Sequence, residues 1–98
     1  MVSSADIRNA YIQLYSELRR YVWPYETVEL IADLEIAAYT AVPDMAELST
    51  ALRSLHSECI EECREDEELA QAFDSLDKLT SDNPQPYLAL NIVKEVIT

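Results

Sequence analysis

His56, Cys59 and Cys63 are the residues of this chain whose types and spacing best fit chemistry. Imidazole and thiolate both bind zinc, and separations of three and four residues set the three side chains along one helical face. Asp66 extends the series if the helix continues. One helix cannot wrap a tetrahedral ion, because such a stripe advances about 1.5 Å per residue. A centre here needs further ligands from another helix or a symmetric partner, and the chain has no second Cys/His pair. The plainer reading makes both cysteines small hydrophobes that continue the stripe of Leu48, Leu52 and Leu55. A Cys59–Cys63 disulfide is disfavoured, since Cβ vectors on one helix are poorly aligned for closure. No metal and no cofactor are assigned.

Catalysis finds little support. His56 is the sole histidine, and the chain has no glycine, where ordinary usage would give about seven. Phosphate-cradling loops and nucleophile elbows are built on that residue. A Cys–His pair within one helix offers a base but no oxyanion site. The chain reads as a non-enzyme.

The elements that position these residues are helices, the structure most easily built without glycine. Ser3 and Ser4 precede Asp6 in a capping-box-like start. Ile7, Tyr11, Leu14, Leu18 and Tyr21 then form a helical stripe, which Pro24 is expected to end or kink. A second helix is expected from about Glu26 to Val42. Leu30, Ile31, Leu34, Ala37, Ala38 and Ala41 share one face, and Val28, Ala32, Ile36 and Tyr39 cover much of the rest. Such all-round apolarity marks a central helix or one covered by a second subunit.

Pro43 is expected to stop that helix, and Asp44 with Glu47 signals the next N-terminus. A single helix from Asp44 to Leu79 would be about 54 Å long, too long for a compact domain of this size. The apolar faces before Cys63 and after Leu69 also differ by roughly 90°. A break near Arg64 to Asp66, with Asp66 as the new cap, brings both faces to one core. Residues 80–85 read as a loop. Asn83 can cap a last helix carrying Tyr87, Leu90, Val93 and Ile97, although its β-branched residues also suit a strand. The expected fold is all-α, a compact antiparallel bundle of four to five helices forming one domain over residues 1–98.

Composition narrows the partners. Nineteen acidic residues against seven basic ones give a net charge of −12. Such a field repels nucleic acid and attracts cations. A basic protein or peptide partner is expected, with no direct nucleic-acid binding. The acids could otherwise imitate phosphates in a nucleic-acid-mimic inhibitor, or the Cys/His series could serve a metal- or redox-responsive module. Ile12, Arg19 and Trp23 fall off the core stripe of the first helix, and their types suit a contact surface. Alternatively, Trp23 and Tyr25 fold back to plug the bundle end. Glu61, Glu62, Glu65, Asp66 and Glu67 form the acidic part of the candidate surface. No apolar run is long enough to cross a bilayer, and no basic-then-apolar leader opens the sequence. Cytoplasm is the expected location. The second and last helices, apolar nearly all round, point to a homodimer.

The succession of helices resembles the class IIa bacteriocin immunity proteins, the enterocin A immunity group. The likeness covers roughly residues 5 to 80. It rests on Ala10-Tyr11-Ile12-Gln13-Leu14-Tyr15, the apolar helix through Leu30 to Tyr39, then Leu48, Leu52, Leu55 and the stretch from Glu68-Leu69 through Leu79. The resemblance implies a small cytoplasmic four-helix bundle that protects a producing cell by engaging a bacteriocin–receptor complex. Many members of that group are basic, whereas this chain is acidic.

Overall fold

The computed structural model describes residues 3–80. Within them the chain forms α1 (Ser4–Leu18), α2 (Tyr25–Ala38), α3 (Met45–Glu58), α4 (Ile60–Glu65) and α5 (Glu67–Thr80). The expected all-α bundle is what forms. Four helices make a closed ring: α1 packs on α2, α2 on α3, α3 on α5 and α5 on α1, while α4 bridges α3 to α5. The core between them is mostly aliphatic. Ile7, Leu14, Leu34, Leu52, Leu55 and Leu76 are fully buried in it beside Phe73. The expected last helix, its Asn83 cap and its strand alternative lie outside the described residues.

Local chemistry explains most boundaries. Ser3 Oγ accepts from Asp6 N while the Asp6 carboxylate accepts from Ser3 N, so α1 opens on a true capping box. Asp44 Oδ1 accepts from Ala46 N and Glu47 N at the start of α3. Asp66 accepts from Leu69 N at the start of α5, as expected for the break there. The reorientation occurs in two steps rather than one, because Cys59 also leaves helical geometry at φ −115° and ψ 11°.

Three expectations need correction. The first helix ends at Leu18, well short of Pro24. Arg20 N and Tyr21 N donate to Glu17 O and Leu18 O in tight turns, and Trp23 Nε1 donates to Leu18 O at 2.8 Å. An indole thus satisfies a terminal carbonyl that a glycine-based cap would otherwise reach. Pro24 instead opens α2, its carbonyl accepting from Thr27 N and Val28 N.

The second correction concerns α2, which is not central. Among the described helices it touches only α1 and α3, with Ile36 68% and Tyr39 48% exposed. A ring of four described helices has no middle member, so the all-round apolarity of α2 does not mark a central helix. It also ends at Ala38, before Pro43, where Tyr39 N donates to Glu35 O and Thr40 Oγ1 to Ile36 O. The third is Thr80, which belongs to α5 rather than a loop and donates to Leu76 O.

Candidate functional site

The turn after α1 meets the start of α5 through one carboxylate. Asp66 Oδ1 accepts from Leu69 N at 3.1 Å, and Asp66 Oδ2 accepts from the Tyr21 hydroxyl at 2.7 Å. Arg20 Nη1 lies 3.1 Å from Glu17 Oε2, 3.5 Å from Asp66 Oδ2 and 3.9 Å from Glu68 Oε2. The Tyr21 hydrogen bond, then the Leu69 N–H and the Arg20 charge, hold the Asp66 carboxyl below the usual carboxylate range. The same bond pushes the Tyr21 phenol up to about 12. Among the described residues, Glu17, Asp66 and Glu68 form the one group of acidic, Cys or His side chains close enough to share a cation. Arg20 already stands among them. Its guanidinium is open to solvent, so these ion pairs orient the turn more than they stabilise it.

This arrangement redistributes the expected contact residues. Ile12 is 50% exposed on α1, and Arg19 is exposed at the C-cap just beyond it. Trp23 is not on that helix, so the helical spacing that grouped the three does not apply. It is half-buried, packed on the core and tilted against the Tyr21 ring at 5.3 Å. Trp23 is the plug of the bundle end. Tyr25 is not, being 74% exposed. Glu61, Glu65 and Glu67 are exposed, whereas Glu62 and Asp66 are partly buried and Asp66 serves as cap and cross-link.

The Cys/His series turns inward. Cys59, Cys63 and His56 are all buried, both thiols are free, and His56 sets its ring edge-on to Phe73 at 5.1 Å. Burial, followed by neighbouring acids and the other thiol, pushes Cys59 up to about 12. Burial and then Glu62 and Asp66 push Cys63 there too. A thiol so firmly protonated is a poor nucleophile. Burial also lowers the His56 pKa. The three are not among the groups whose ligand atoms converge. Asp77 is fully buried on α5 one turn beyond Phe73, a polar core residue that sequence reasoning missed. Its signal was the i+4 spacing from Phe73 on the inward stripe.

A second feature was also missed. Between α2 and α3 runs an open groove of about 560 Å³. Leu30, Ala37 and Ala51 supply an apolar floor, Ala46, Ile36, Thr50 and Ser54 complete the lining, and Asp33 and Glu47 enter from opposite helices. Among the described residues, no lysine or arginine lines it. Small alanines facing each other across two helices were the available clue. Comparison with family models, with curated proteins and with solved structures finds no match to this chain. Its function must be read from these surfaces.

Proposed function

We propose that this chain is a non-enzymatic helical-bundle interaction protein that binds a cationic protein or peptide. One observation carries the reading. Of the acidic residues described, only Asp77 is buried, and every other one reaches the surface. Two of the few basic groups are already engaged by the chain's own acids, Arg20 by three carboxylates and Lys78 by Asp74 at 2.9 Å. The negative field is therefore left to act outward, steering basic partners and repelling phosphates.

A role of immunity or inhibitor type, as the resemblance to bacteriocin immunity proteins suggests, fits this chemistry. The two free thiols suit a reducing cytoplasm, and no described helix is long and apolar enough to cross a membrane. Affinity capture from the native host at low and at high salt tests the proposal. The expected result is a basic partner that is lost at high salt, because screening shortens the reach of surface charge. Recovery of only acidic or salt-insensitive partners would overturn it.

A further inference from the structure

The α2–α3 groove has an apolar floor and acids on both walls, and that combination selects a particular kind of ligand. Asp33 of α2 and Glu47 of α3 line it. Glu26 and Glu29 precede Asp33 at helical spacings of seven and four, which keeps them on the same side of α2. Glu58 lies three turns beyond Glu47 on the matching side of α3. All five are exposed. Leu30 and Ala51 are only partly buried at the floor, and Ile36 stays open above it.

Resting on the cationic-partner reading, we propose that this groove seats a basic amphipathic helix of the partner. A ridge of apolar side chains at i, i+3 or i+4 and i+7 lies along a furrow between two packed helices. Lysines and arginines flanking that ridge meet Asp33 and Glu47 on either wall. A second copy of this chain is a poor occupant, since it would bring the same acids against themselves and double a charge of −12. Residues 81–98 also lack the complement, holding Lys94 against Asp82 and Glu95.

The test is a nuclear magnetic resonance titration of the full chain with a synthetic helix of about five turns built from leucine and lysine. A peptide of the same composition, scrambled to remove its apolar face, is the control. Shifts are expected along α2 and α3, with clearly weaker binding by the scrambled peptide. Asp33→Lys with Glu47→Gln should weaken the ordered helix roughly tenfold, while Glu61→Gln with Glu65→Lys should change it by no more than about twofold. Ala46→Trp, which fills the groove without altering charge, should also weaken it roughly tenfold. Binding that maps to α4 and is lost in the Glu61/Glu65 variant overturns the groove but keeps the cationic-partner reading. Equal binding of the scrambled peptide, or groove signals that move with protein concentration alone, also overturns the groove. No binding of either peptide at low salt overturns both.

Discussion

The Tyr21 hydroxyl reaches Asp66 across 45 positions of sequence and closes at 2.7 Å, joining the turn after α1 to the first turn of α5. The other oxygen of the same carboxylate caps α5 through Leu69 N. One side chain thus starts a helix and fixes where that helix docks.

Asp66→Ala removes both functions. A lost cap costs about 1 kcal/mol, and a lost hydrogen bond to a charged group about 1.5 kcal/mol more. We expect a total near 2–3 kcal/mol in urea denaturation. Asp66→Asn should lose less, because asparagine caps as well as aspartate. Tyr21→Phe, which deletes the hydrogen bond alone, should lose about 1.5 kcal/mol. An alanine variant as stable as the parent would show that the carboxylate is idle.

Stability should fall with acid in two stages. Burial lowers the folded-state pKa of His56, so its contribution is complete above the unfolded value of about 6.5 and is lost as pH falls below it. The Asp66 pKa is also lowered in the fold, so its contribution persists until pH falls below the unfolded value of about 3.9. Stability measured against pH should flatten between 7 and 5 in His56→Gln, while the lower stage remains. An unchanged upper stage in that variant would remove His56 from the account.

Tyr11 carries a buried hydroxyl that stands beside the Glu35 carboxylate without a well-formed hydrogen bond to it. Burial, followed by the Glu35 charge, raises its pKa. Its ring stacks on Tyr15 and meets Tyr39 edge-on at 5.9 Å. Tyr11→Phe keeps the ring contacts, deletes a poorly satisfied oxygen and leaves the exposed Glu35 to water. It should be neutral or stabilise by up to about 1 kcal/mol. A clear loss in thermal or urea unfolding would mean that the hydroxyl has a structural function.

Cys59 and Cys63 should resist alkylation in the native state and react at once in urea. Their burial and raised pKa values leave almost no accessible thiolate. Mass spectrometry after a timed pulse of iodoacetamide checks this directly. Rapid native labelling at pH 8 would restore the redox reading of the pair.

The sequence made some elements legible because their signals are local. The stripe of Ile7, Tyr11, Leu14 and Leu18 is buried as its spacing requires, and Asp44 and Asp66 cap where their positions suggested. The end of α1 was not legible, because Pro24 marks only the latest place where a helix can stop. The actual stop depends on Trp23 folding back onto Leu18. The position of α2 was hidden for a different reason. Apolar residues around a helix show that burial is affordable, not which neighbours exist to provide it. The same limit concealed the groove, whose width depends on how closely the alanines of two helices let their backbones approach.

No described residue adopts a positive φ. Connections between helices are instead shaped by particular side chains, among them Asp44, Asp66 and Trp23. In most proteins the connecting segments drift freely while the core is held fixed. Here the two are closer in rank, since a change at a junction removes a partner that no backbone device replaces. Among divergent descendants of this chain, the outer helix faces should vary first, and the corners should keep their residues nearly as long as the core.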